Sequence, residues 1–101
     1  MCIYKVYTKE TGLVETDDHF DFTDLTWHRG DGPAIIEYHE NGNIRYEEYW
    51  VNGRRHRFDG PAIIVYNANG DIIYESYFIN DIEYSKENYH KELLNLKVQS
   101  L

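Results

Sequence analysis

Two histidines each stand three residues ahead of an aspartate: His28 with Asp31, and His56 with Asp59. Both pairs sit in the phrase His-Arg-x-Asp-Gly-Pro-Ala. An imidazole near a carboxylate is raw material for general acid–base catalysis. A catalytic set is normally unique in a small domain, whereas this one recurs with its surroundings intact, which points to a turn-locking role. His28, Arg29, Asp31, Gly32 and Pro33, with their counterparts His56, Arg57, Asp59, Gly60 and Pro61, are therefore read as structural residues of a repeat. Each Gly-Pro step bars helix and sets a sharp turn into the next strand. Asp31 and Asp59 can accept backbone N–H bonds in that turn. Arg29 and Arg57 can pair with an aspartate or lay their stems over apolar surface.

The stretch "DDHFDFTD" offers Asp17, Asp18, His19, Asp21 and Asp24 as hard metal ligands. It lacks the glycine hinge and the closing glutamate of a calcium loop, so a solvated acidic loop is the expectation. The five histidines follow no zinc spacing. No serine sits in a glycine-flanked elbow, and no glycine-rich loop leads from a strand into a helix to hold phosphate. The expectation is a protein without catalytic residues, metal or cofactor.

The elements that position these residues come from a tandem duplication. Residues 28–55 and 56–83 align without a gap and share 16 of 28 positions. The identities include Ile35-Ile36/Ile63-Ile64, Tyr38/Tyr66, Asn41-Gly42/Asn69-Gly70, Tyr46-Glu47/Tyr74-Glu75 and Tyr49/Tyr77. Such a period marks a repeat architecture in which each unit buries its apolar surface against the next. In each unit two β-prone runs, Ala34–His39 and Ile44–Val51 in the first, flank an Asn-Gly turn. Before the repeats, "IYKVYT" and "LVET" flank "KETG", a hairpin with Gly12 in its turn. After them, Ser85 is placed to cap a helix over "KENYHKELLNLK", with Tyr89, Leu93 and Leu96 as its apolar stripe and Glu87–Lys91 as an i,i+4 pair. One domain over residues 1–101 is expected: an N-terminal hairpin and acidic loop at 1–27, two β repeats at 28–83 and a helix at 84–101.

Strand register follows from the turn. A three-residue loop, Glu40-Asn41-Gly42 with Gly42 left-handed, sets Tyr38 opposite Ile44 and Ile36 opposite Tyr46. Ala34, Ile36, Tyr38, Ile44, Tyr46 and Trp50 then share one apolar face, as do Ala62, Ile64, Tyr66, Ile72, Tyr74 and Phe78. Burial at about 1.5–3 kcal/mol for each large side chain favours that register. The opposite face carries Ile35, Glu37, His39, Arg45, Glu47, Tyr49 and Val51. The sequence leaves open which face the helix covers; laid over the second half of this one, it would leave Glu37, Arg45, Glu47 and Tyr49 as a contact surface beside Asp17, Asp18, Asp21 and Asp24.

The chain carries 18 Asp and Glu against 10 Lys and Arg, a net charge of −8. That sign repels phosphate and anionic lipid, arguing against nucleic acid or membrane as partner and for a protein with a basic surface. Cys2 is the sole cysteine, so an internal disulfide is excluded. No run reads as a membrane span or signal segment, and the expected location is the cytoplasm, or a host's cytoplasm for a viral protein.

The pattern Tyr-x-x-x-Asn-Gly-x-x-His-Arg-x-Asp-Gly-Pro-Ala, from Tyr49 to Ala62, resembles the "HRxDGPA" β-hairpin repeats of phage, giant-virus and bacterial proteins, which are similar to MORN-type and MORN-like antitoxin repeats. The likeness covers residues 28–84. It departs from MORN repeats in its 28-residue period and in Asp-Gly-Pro-Ala where those place Gly-x-Gly. The resemblance implies a mainly β fold: a single elongated antiparallel sheet of tandem β-hairpin repeats, here with a short C-terminal α-helix packed on it. For function it implies a non-catalytic module that binds another protein. The first alternative is a phage-encoded inhibitor of a host defence nuclease, CRISPR or other, or an antitoxin, either one occluding a basic nucleic-acid-binding site with carboxylates. The second is a structural unit that forms homo-oligomers through its sheet edges.

Overall fold

The computed structural model describes residues 3–17 and 19–99, so Cys2 and Asp18 lie outside the described residues. The elements, in chain order, are β1 (Tyr4–Thr8), β2 (Gly12–Thr16), β3 (Ile35–Tyr38), β4 (Ile44–Glu48), β5 (Trp50–Val51), β6 (Arg54–Arg55), β7 (Ile63–Tyr66), β8 (Ile72–Ile79), β9 (Ile82–Tyr84) and α1 (Lys86–Gln99). Seven strands form one antiparallel sheet in the order β2-β1-β3-β4-β7-β8-β9, and β5 with β6 form a two-stranded extension. The result is a thin slab, 46 × 33 × 18 Å. The fold is thus mainly β, a sheet of successive hairpins with one C-terminal helix.

Two kinds of turn alternate along the chain. In the first, His39 N–H donates to Asn43 O at 2.8 Å, and Gly42 N–H to His39 O at 3.0 Å. Gly42 and Gly70 take φ of 90° and 92°, so the three-residue loop with left-handed glycine forms in both units. The second kind is a two-residue turn, Asn52-Gly53 and Asn80-Asp81, with both residues at positive φ (52° and 76°, 50° and 69°). That is the geometry of a type I′ hairpin, which asparagine and glycine tolerate best.

The register departs from expectation one residue after the loop. Tyr38 does lie opposite Ile44, but Glu37 then pairs with Tyr46, Ile36 with Glu47 and Ile35 with Glu48. Arg45 is the extra residue of a β-bulge, and Ile73 occupies the same place in the second unit. Directly opposed residues share a face, so Tyr46 and Trp50 leave the face of Ala34 and Ile36, and Glu47 and Tyr49 join it. The single greasy side is therefore replaced by two mixed faces. Mixed faces are tolerable in the first unit because its strand acids are bonded. Tyr66 Oη donates to Glu47 at 2.5 Å, Tyr46 Oη donates to Glu48 at 2.6 Å, and Arg55 pairs with Glu48. A buried polar group that is hydrogen-bonded loses most of its desolvation penalty.

Both faces contribute to the core. The front face buries Ala34, Ile36, Ala62, Ile64, Tyr77 and Ile79; the back face buries Val6, Glu48, Ser76 and Phe78. Helix α1 begins as expected, with Asn88 N–H donating to Ser85 Oγ at 3.2 Å and Lys91 paired to Glu87 at 3.3 Å. Its Tyr89 is fully buried against Tyr77 and Ile79, flanked by Leu93, Leu96 and Tyr84. The helix thereby covers the front of the second unit.

Strand β1 proves to be a disguised member of the repeat. Tyr7 N–H donates to Ala34 O at 2.8 Å and accepts His28 N–H on its own carbonyl at 3.1 Å. Tyr49 does the same with Ala62 and His56, at 2.7 and 3.1 Å. The first 27 residues thus supply the stacking platform for unit one as well as a leading hairpin.

Candidate functional site

The two His-Arg-x-Asp-Gly-Pro-Ala corners are built alike, on the front face. Arg29 donates through Nε to Asp31 at 3.0 Å and through Nη1 to Pro33 O at 3.2 Å, with its guanidinium 4.0 Å above the Tyr7 ring. Arg57 repeats this with Asp59 at 2.9 Å, Pro61 O at 3.0 Å and the Tyr49 ring at 4.0 Å. A Cβ on Gly32 or Gly60 would meet the guanidinium carbon at 2.9 or 3.0 Å, so any other residue there would push the arginine off its stack. Each histidine reaches forward to the next turn: His28 Nδ1 accepts Asn52 N–H at 3.0 Å and His56 Nδ1 accepts Asn80 N–H at 3.1 Å. Each aspartate bonds its arginine, so the imagined His–Asp pairs do not form and these side chains hold the corners.

A third stack completes the series. Tyr89 of α1 lies on the Tyr77 ring at 4.7 Å between centroids, and its hydroxyl accepts Gly60 N–H at 3.2 Å and donates to Arg57 O. Burial pushes the phenols of Tyr49 and Tyr89 above their ordinary range. Where the repeat would next place an arginine, α1 supplies an aromatic ring instead.

Of the eight residues expected to contact a partner, Asp18 lies outside the described residues, and the other seven do not form one surface. Glu37 lies on the back face, held by Tyr4 Oη at 3.3 Å and by Arg45 at 3.8 Å. Glu47 and Tyr49 lie on the front face, Glu47 bonded to Tyr66 and Tyr49 beneath Arg57. The bulge at Arg45 divides them. In the acidic loop, Asp17 accepts His19 N–H at 2.9 Å, and Asp21 accepts both Thr23 N–H at 2.9 Å and Thr23 Oγ1–H. Those Thr23 bonds hold the Asp21 carboxyl below its ordinary range. Asp21 and Asp24 are exposed, while Phe20, Phe22 and Trp27 make tilted ring contacts at 4.8 and 5.0 Å. No metal-holding group of three or more His, Cys, Asp or Glu occurs among the described residues.

The surface that sequence reasoning missed is the outer edge of β8. Ile72, Ile73 and Tyr74 are 51%, 62% and 53% exposed, although Ile72 and Tyr74 were expected in a buried face. Their counterparts Ile44 and Tyr46 are half-buried, because β7 lies alongside β4 whereas β9 pairs only with Tyr77–Ile79. A signal was present: the last copy of a repeat has no successor to cover it, and Ile73 stands where the interior unit has Arg45. The open slot of about 540 Å³ beside this edge runs from Ile72 to Tyr77, with Glu83 and Lys86 on its far side. No family model, curated protein or solved structure matches the chain.

Proposed function

We propose that the chain is a non-catalytic protein-interaction module, a small acidic β-repeat protein of MORN-like type whose partner presents a basic surface. The observation that carries this reading is the division of labour among its side chains. The histidines, arginines and aspartates with chemical potential are engaged in corners, while an apolar strip with a carboxylate, Ile72–Glu75, faces solvent. An exposed apolar strip rimmed by polar residues is the usual form of a contact surface. The net charge of −8 favours a cationic partner and disfavours phosphate. No helix among the described residues is long and apolar enough to cross a membrane; the working location is the cytoplasm.

A second reading rests on the acidic loop. Asp21 and Asp24 are exposed beside the Phe20, Phe22 and Trp27 rings. Such a loop suits an inhibitor of a defence nuclease, or an antitoxin, that blocks a basic cleft. Affinity capture from the source cell, followed by reconstitution with the purified partner, tests both. A contact through the apolar strip weakens less than tenfold between 50 and 500 mM salt, whereas occlusion of a nucleic-acid cleft weakens by orders of magnitude. Turnover of a hydrolase or nuclease substrate by the purified chain contradicts the non-catalytic reading.

A further inference from the structure

We propose that the outer edge of β8, over Ile72–Ser76, is a docking site for an extended cationic segment of another protein, added to the sheet as an antiparallel strand. This rests on the protein-binding reading and names its site. Ala62 N–H donates to Ser76 O at 2.8 Å, so Ser76 faces β7. Backbone groups alternate sides along an antiparallel strand. Glu75, one residue along, therefore directs its N–H and C=O into the open slot. In the interior unit the equivalent residue, Glu47, is opposed by Ile64 of β7. The Glu47 carboxylate is then met by the hydroxyl of Tyr66, two residues further on. Both functions, the backbone pair and the side-chain donor, have no counterpart at Glu75 among the described residues. The edge thus repeats an interface already formed once in the same molecule, with the guest strand missing.

The charges choose the occupant. Glu75 is exposed with no hydrogen-bond or ion-pair partner among the described residues, and Glu83, in the place of Arg55, accepts only Ser76 Oγ at 2.6 Å. Among the described residues that line it, the slot accordingly presents two carboxylates, Glu75 and Glu83, and one cation, Lys86. A second copy of this chain fits poorly: antiparallel pairing of two β8 edges centred on Glu75 brings that carboxylate toward its own copy, and the other open edge, β2, offers Glu15 already paired with Lys5 at 3.8 Å. Five residues of strand also bury far less than the roughly 1,600 Å² of a standard stable interface. A short strand that adds main-chain bonds and a lysine, arginine or tyrosine for Glu75 is the chemistry that fits.

The test uses the whole chain and the capped hexapeptide Ala-Ile-Ile-Val-Lys-Asn, which copies residues 62–67 with lysine in place of tyrosine. On titration, amide NMR shifts are expected over residues 72–76, with Glu75 N–H exchange slowed at least tenfold at saturation. Glutamate in place of the peptide lysine weakens binding at least tenfold, Glu75→Lys in the protein inverts that preference, and N-methylation of the second isoleucine abolishes it. Three results overturn the proposal: no shifts at residues 72–76 with millimolar peptide, equal binding of the lysine and glutamate peptides, or concentration-dependent dimerisation through β8 in sedimentation. Glu75→Pro separates the two claims, since its lost N–H points away from β7 and the fold keeps its ladder. A captured natural partner that binds Glu75→Pro as well as the parent chain leaves the protein-binding reading standing and removes this site.

Discussion

At the scale of single residues, the repeated phrase is a set of contacts in which each side chain answers a specific demand. Arginine is used because its planar guanidinium can stack on a tyrosine while donating in two directions; lysine carries the charge but not the fork. Arg57→Lys is expected to lower unfolding free energy by about 1–2 kcal/mol in urea denaturation, and an unchanged midpoint would contradict the stack's importance. His56 makes a pH-dependent contribution. Burial holds its imidazole below the ordinary histidine range, and its Nδ1 must stay unprotonated to accept Asn80 N–H. The unfolded chain therefore binds this proton more readily than the folded one. The stabilisation is fully present above the unfolded value of about 6.5 and is lost as pH falls through the depressed folded one. The denaturation midpoint should decline below that pH, and His56→Asn, which keeps an acceptor without the titration, should flatten the profile. A histidine NMR titration placing His56 at or above the ordinary value removes the basis for this expectation.

At the scale of elements, the helix and the bulges do the organising. α1 is held to the sheet mainly by Tyr89, which combines full burial, a ring stack and two hydrogen bonds to the second corner. Tyr89→Ala should cost about 3–5 kcal/mol, as for other buried aromatic truncations. Amide exchange is the discriminating measurement: α1 should lose protection while β3, β4 and β7 keep theirs, since β3 and β4 do not depend on the helix. Uniform loss across the sheet would instead make α1 part of a single cooperative unit. The bulge at Arg45 and Ile73 has the opposite character, because it changes no contact within its own turn yet reassigns each later residue of the strand to the other face.

At the scale of the whole molecule, the slab is thin, acidic and open along β8. With net charge −8, self-repulsion opposes compactness, and screening relieves it. Raising sodium chloride from 20 to 300 mM should therefore increase unfolding free energy by on the order of 1 kcal/mol; a decrease would show that specific ion pairs outweigh the general repulsion. Under the proposal, Glu75 guards this edge against self-pairing, a common way of blunting an exposed strand. That protection leaves the edge available to a segment of opposite charge.

Local rules made several features legible in advance. Asn-Gly and Gly12 marked the hairpin turns, Ser85 marked the start of α1, and the 28-residue period marked the tandem sheet. These depend on backbone conformations and spacings that neighbouring residues set by themselves. The faces were not legible, since one extra residue at Arg45 inverts them and the compensating bonds to Glu47 and Glu48 come from Tyr66 and Arg55, 19 and 7 residues away. The kinship of Tyr7 with Tyr49 was equally hidden, because it lies in hydrogen bonds rather than in identities. Sequence alone determined the modules and their turns; tertiary structure decided which side each residue faces and which edge stays open. Register and coverage are cooperative properties of strands brought together from distant parts of the chain.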